Sequence, residues 1–127
     1  MLLNDFYRIT KTENKSGNDI ISEIEINPEH EIFKGHFPGN PVMPGVVSLQ
    51  IIKEAVSLHT GKDLMLKQAK NIKFTAMIKP DIFPVLSLKI NCLETENNEY
   101  KVNARIYFNE TVFLKLSGLI FAVNDNN

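Results

Sequence analysis

The feature that most constrains this chain is a helix-forming stretch with almost no polar side. From about Pro44 or Gly45 to His59, apolar residues occupy most of the helical circumference: Val46, Val47, Leu49, Ile51, Ile52, Ala55, Val56 and Leu58. At about 100° per residue, Gln50, Lys53, Glu54 and Ser57 fall on one narrow stripe. Proline near the start and Gly61 just past the end fit the usual asymmetry of helix termini. A helix apolar on nearly every other side needs a sheet to wrap it.

The rest of the chain supplies strands. A first extended run covers about Leu3 to Thr12, and turn chemistry over Asn14 to Asn18, with Gly17, leads to an alternating run from Ile20 to Ile26. After the helix, a candidate strand lies around Ala69 to Ile78. Leu86, Leu88, Ile90 and Cys92 alternate with polar residues, as do Tyr100, Val102, Ala104, Ile106 and Phe108. Asn97-Asn98 and Asn109-Glu110 sit where hairpin turns belong. The last strand, Thr111 to Val123, is apolar on both faces, which suits a central strand or one facing another subunit. Strand, strand, long buried helix and four strands make an α+β layer architecture. The 127 residues read as a single domain, with a polar, frayed end at Asn124 to Asn127.

Composition narrows the function classes. Fourteen basic and fifteen acidic side chains argue against broad electrostatic binding to nucleic acid, while leaving room for a local basic patch. One cysteine, Cys92, cannot form an internal disulfide and suits a reducing cytoplasm. The three histidines, His30, His36 and His59, offer no zinc-type spacing, and no glycine pattern of a phosphate-binding loop is present, so no metal or nucleotide cofactor is expected. No run reaches the ~18 apolar residues of a membrane span.

Between His36 and Gly45 lie three of the six prolines and two of the six glycines, so this segment is a shaped loop and not a regular element. His36 stands between glycine and phenylalanine at its start. An imidazole titrates near neutrality, so it can accept and return a proton at cell pH. The alternative is a structural histidine bonded to loop backbone. At the far end, the free amides of Gly45 and Val46 at a helix N-terminus attract developing negative charge, and glycine allows close approach. The same Pro44-Gly45 pair also serves simply to start the helix.

The stretch Gly35-His36-Phe37-Pro38-Gly39-Asn40-Pro41-Val42-Met43-Pro44-Gly45-Val46 resembles the signature of the 3-hydroxyacyl-acyl carrier protein dehydratases. Weaker likeness continues through Ile72-Lys73-Phe74 and Ile78-Lys79-Pro80-Asp81, and extends from about Asn27 to Ala122. The resemblance implies a hotdog fold, a curled antiparallel sheet wrapped around one long central helix. It implies that His36 removes the C2 proton of a 3-hydroxyacyl thioester. The amides of Gly45 and Val46 would hold the thioester carbonyl. Implied partners are an acyl carrier protein bearing the substrate and a second subunit, in a homodimer or a larger assembly of dimers, with a heterodimer as an alternative.

The chain departs from that family at the second catalytic group. A carboxylate is expected on the helix fourteen residues after the histidine, where this chain has Gln50. An amide orients a hydroxyl or a water but gives up no proton. Glu54 follows one turn later, on the same face as Gln50 and ~6 Å away at Cβ. It either reaches the site or belongs to a solvated stripe with Lys53 and Ser57. The expected start of many relatives, a helical segment with a Pro-His pair, is replaced here by the first extended run. Three readings follow: a hydro-lyase forming trans-2-enoyl thioesters for fatty acid or related lipid or polyene synthesis, with His36, Glu54 and Gln50 catalytic; a non-catalytic or partner-dependent subunit that has lost the acid; and an acyl thioesterase. Phe37 and Met43 read as packing residues, His30 and His59 as solvated, Cys92 as a buried inert thiol and Asp81 as a turn residue.

Overall fold

The computed structural model describes residues 5–15, 17–35 and 41–124. Its strands are β1 (Tyr7–Asn14), β2 (Asp19–Ile26), β3 (Leu64–Phe74), β4 (Val85–Glu94), β5 (Glu99–Phe108) and β6 (Thr111–Val123), and its helix is α1 (Gly45–Thr60). A short 3₁₀ turn over Glu31–Gly35, absent from the sequence expectation, follows β2. The six strands form one antiparallel sheet in the order β1-β2-β4-β5-β6-β3.

Alternation carries most of this. In β4 and β5 every second side chain from Leu86 to Cys92 and from Tyr100 to Ile106 is buried. The hairpin turns fall where the asparagines suggest: Asn98 and Asn109 take positive φ, 58° and 51°, a region asparagine tolerates. At Gly118 (φ 69°) β6 steps out of register with β5, and its amide donates to the side-chain oxygen of Asn103. β6 lies between β5 and β3, so it is the interior strand that its two apolar faces suggested.

α1 begins after Pro44 (φ −63°, ψ 146°) and ends at Gly61 (φ 71°), whose amide donates to the Ser57 carbonyl at 2.8 Å. It lays Val47, Ile51, Ile52, Ala55 and Val56 into a core with Ile24, Ile26, Leu86, Leu88, Val102 and Leu114.

The fold is α+β and hotdog-like, with one long helix on an antiparallel sheet. The expected curling of the sheet around the helix is not found: the sheet is open, with β1 at one edge and β3 at the other. The inference from an apolar helical girth fails because it assumes that every apolar side chain is covered within the chain. Val46 and Leu58 of α1 remain 74% and 52% exposed. β3 also differs from expectation, starting at Leu64 and ending at Phe74. Beyond Leu64 it is exposed on both sides. No helix among the described residues is long and apolar enough to cross a membrane.

Candidate active site

The residues described on either side of the proline-rich loop are packed into the fold. Before it, Phe33 of the 3₁₀ turn is buried against the Phe6 ring, with centroids 5.3 Å apart. His30 holds the start of that turn. Its Nδ1 accepts from the Ile32 amide at 3.0 Å, which leaves the proton on Nε2, facing Asp5 Oδ2 at 3.2 Å. Its ring also stands edge-on to Phe6. His30 is therefore a structural residue and not the solvated one the sequence suggested. After the loop, Met43 is buried and its amide donates to the Ile78 carbonyl at 2.9 Å. His36 itself, with residues 37–40, lies outside the described residues.

The loop delivers the chain to the N-terminus of α1. Gly45 is the first helical residue and Val46 the second, and no side chain caps this end. The first turn contains no acidic residue. Amides in this position have no partner one turn back, so they keep their capacity to bind an anionic oxygen. The ring of Phe74, from the end of β3, lies against Gly45: a Cβ there would stand 2.6 Å from Phe74 Cζ. A side chain at position 45 would have to displace that ring. Beside it, a cavity of about 340 Å³ is lined by Val42, Met43, Ser48, Phe74, Met77 and Phe113.

One and two turns further along α1 lie Gln50 and Glu54. Glu54 is only 3% exposed, so it is not part of a solvated stripe. Its Oε1 accepts from the Tyr7 hydroxyl at 3.0 Å and its Oε2 from Gln50 Nε2 at 2.9 Å. Both carboxylate oxygens are therefore engaged by a neighbouring polar group. Tyr7, on β1, is itself 2% exposed. Burial, and then the neighbouring Glu54 charge, push its phenol well above the usual tyrosine range, so it stays a donor. Gln50 is partly buried; its amide nitrogen is committed to Glu54, which turns its oxygen outward from that contact.

The structure thus joins Gln50 and Glu54, and adds Tyr7, which the sequence reading did not single out. A tyrosine in phase with the buried side of its strand was the available signal, since a buried phenol needs a polar partner. Phe74 was noted only as part of a resembling segment. Cys92 is buried and free, and its thiol is raised, chiefly by burial and secondarily by Glu94. His59 is exposed and Asp81 sits in a turn, as expected.

Residues 12–112 match the ApeI-like family, described as ApeI dehydratase. The chain is 31% identical over 93 residues to the 3-hydroxyacyl-[acyl-carrier-protein] dehydratase FabZ of Pediococcus pentosaceus, an alignment covering 68% of this chain and 61% of that protein. With FabZ of Lactobacillus helveticus the figures are 32% over 93 residues, 68% and 62%. The chain therefore spans about three fifths of the length of these relatives. Among solved structures, the dehydratase heterocomplex ApeI:P from Xenorhabdus doucetiae superposes with a TM-score of 0.70 at 20% identity, over 87% of this chain and 95% of that chain. A mutant thioesterase from Pseudomonas aeruginosa superposes with a TM-score of 0.59 at 9% identity, over 91% and 81%. At such identities these structures share the fold, which dehydratases and thioesterases both use. The family match is more specific: running from the first strand into the last, it shows that the chain belongs to the ApeI-like dehydratase family.

Proposed function

We propose that the protein dehydrates 3-hydroxyacyl thioesters carried on acyl carrier protein, giving trans-2-enoyl thioesters and water. The observation that carries this reading is the hydrogen-bonded pair of Gln50 and the buried Glu54, on the helix whose uncapped N-terminus begins at Gly45, directly after the His36 loop. Membership of a dehydratase family and the likeness to FabZ support it.

In this mechanism His36 removes the C2 proton. Negative charge develops on the thioester oxygen, where the amides of Gly45 and Val46 receive it; donors of this kind are worth about 3 kcal/mol of transition-state stabilisation. The C3–O bond then breaks. The oxygen of Gln50, oriented by the bond between its amide nitrogen and Glu54, accepts the substrate hydroxyl and holds it in line for departure. Glu54 sets the field around it. The hydroxyl leaves as water by taking a proton, either back from His36 or from Glu54 in its acid form. The cavity beside Gly45 would accept the acyl chain. No redox step occurs, and no electron carrier is required. The pathway is fatty acid synthesis or a related lipid or polyene branch, in the cytoplasm.

The site is completed by a second subunit. β3 is an edge strand that exposes Met65, Leu66, Ile72 and Phe74, an unpaired edge suited to another chain. Whether that chain is a copy or a related subunit bears on catalysis. Glu54 is buried and its oxygens are engaged, which favours a second reading: a partner-dependent subunit, with the acid on the other chain. The ApeI:P structure, which shares the fold, is a dehydratase heterocomplex. Thioester hydrolysis is the remaining alternative.

Mass spectrometry of acyl carrier protein loaded with 3-hydroxyacyl chains tests all three. Water loss with the wild type, abolished in His36→Ala, supports the dehydratase. Loss of activity in Glu54→Gln as well assigns the proton to Glu54, and retention assigns it to His36. Release of free acid would point to hydrolysis. No turnover with any chain length would sink the self-sufficient enzyme and leave the partner-dependent subunit.

A further inference from the structure

Four cations stand directly opposite one another on the face of the sheet turned away from α1. The register aligns Lys89 of β4 with Arg105 of β5, Arg105 with Lys115 of β6, and Lys115 with Lys73 of β3. They form one unbroken row across four adjacent strands. Like charges in directly opposed positions destabilise a sheet. Elsewhere this sheet avoids that arrangement: Arg8 opposes and bonds Glu25, Lys11 and Lys15 share Glu13, and Lys67 bonds Glu99. Among the described residues no carboxylate pairs with any of the four, although the whole chain carries a net charge of −1. Among the described residues Arg105 is steadied by the Tyr107 ring, 5.3 Å away. The row borders a concavity of about 500 Å³ whose floor continues into Asn71, Asn103 and Ser117. Cations and amides, with no acid among them, make a surface built to receive an anion.

The geometry points to an acidic helix of a partner protein as the occupant. Neighbouring strands are about 4.8 Å apart, so the row spans about 14 Å. A helix laid across the strands presents one carboxylate per turn at about 5.4 Å, and four such carboxylates span about 16 Å, a difference long side chains absorb. A second copy of this chain fits less well, because the acids on β1 and β2 already hold their own partners: Glu13 with Lys11 and Lys15, Glu25 with Arg8, Glu23 with Thr10. The surface lies across the sheet from Gly45 and Glu54, so this contact recruits a partner without delivering a substrate. It is independent of the proposed dehydratase activity.

Two experiments test it. First, neutralising the row in the isolated protein should relieve repulsion: Lys115→Gln and Arg105→Gln should each raise Tm by about 1–4 °C. A fall in Tm for both would overturn the idea that the row is held against its own stability. Second, fluorescence anisotropy at low ionic strength would measure binding of a synthetic helical peptide with four glutamates placed alternately three and four residues apart. Scrambled peptide of equal charge, single-stranded DNA and inorganic phosphate would be measured alongside. The expected result is binding of the spaced peptide that weakens at least about tenfold in the Arg105→Gln/Lys115→Gln protein, falls with added salt, and exceeds binding of the scrambled peptide. Equal binding of the scrambled peptide, tighter binding of DNA or phosphate, or no binding would overturn the acidic-helix assignment. So would self-association of the wild type that disappears in the double variant, which would make the occupant a second copy.

Discussion

Tyr7→Phe deletes one oxygen and should expose how the buried carboxylate is held. In the native protein the Tyr7 hydroxyl donates to Glu54 Oε1 at 3.0 Å, with 2% of Tyr7 and 3% of Glu54 exposed. Removing the donor leaves a buried, charged acceptor short of one bond. Hydrogen bonds to charged groups are worth about 1.5–3 kcal/mol, so the variant should lose about 2 kcal/mol at pH 8. The phenylalanine ring still fills the site, so no cavity adds to that figure.

The difference should depend on pH with a definite sign. The folded-state pKa of Tyr7 is raised above its ordinary value of 10.0, first by burial and then by Glu54. The native state therefore keeps its proton where the unfolded chain has lost it. The stabilisation is fully present below pH 10 and declines above it, at up to about 1.4 kcal/mol per pH unit. At pH 11 the loss is about 1.4 kcal/mol, so the advantage of wild type over Tyr7→Phe shrinks from about 2 to about 0.6 kcal/mol. Urea denaturation of both proteins at pH 8, 9, 10 and 11 measures this. Tyr100, Tyr107 and the lysines are common to both and cancel in the difference. A gap that stays constant from pH 8 to pH 11 would refute a phenol buried against a carboxylate. A double cycle with Glu54→Gln should also give a coupling of about 1 kcal/mol or more; strict additivity would contradict the contact.

Three further outcomes follow from single features. Gly45→Ala places a methyl against the half-exposed Phe74 ring, which can swing aside; Tm should move by no more than about 4 °C while turnover falls about 100-fold, and Phe74→Ala in the same chain should restore part of it. Cys92 should react with a disulfide reagent at pH 8 far more slowly in the folded protein than in urea, because its thiol is buried and raised; equal rates would contradict that burial. If β3 is the dimer edge, Ile72→Lys should convert a dimer to a monomer by light scattering with little change in folding, since Ile72 is 38% exposed in the single chain.

Much of the fold was legible because alternation and helical period both report one buried face. β4 and β5 obey that rule along their length, and they fell where Leu86 to Cys92 and Tyr100 to Phe108 suggested. β3 was misplaced for the converse reason: beyond Leu64 neither of its faces is buried, so no apolar period marks its residues. Its limits are set by pairing with β6, which local sequence does not encode. The same partition explains the open sheet. Val46 and Leu58 are apolar, yet they stay exposed on the single chain, and composition does not say whether such a residue is covered by its own sheet or by another subunit.

The candidate site divides along the same line. Helical spacing alone places Gln50 and Glu54 on one face, and the structure joins them at 2.9 Å. What spacing could not supply was the burial of Glu54 and its bond to Tyr7, 47 residues away on an edge strand. Glutamine where a carboxylate is expected first reads as a lost acid. In the proposed mechanism, beside a buried glutamate one turn on, it is instead a displaced acid. The two descriptions differ in where the proton is stored, not in which residues surround it. That is why Glu54→Gln, which preserves shape and removes only the carboxylate, separates them: a charge that merely orients Gln50 can be replaced at modest cost, whereas a proton donor cannot.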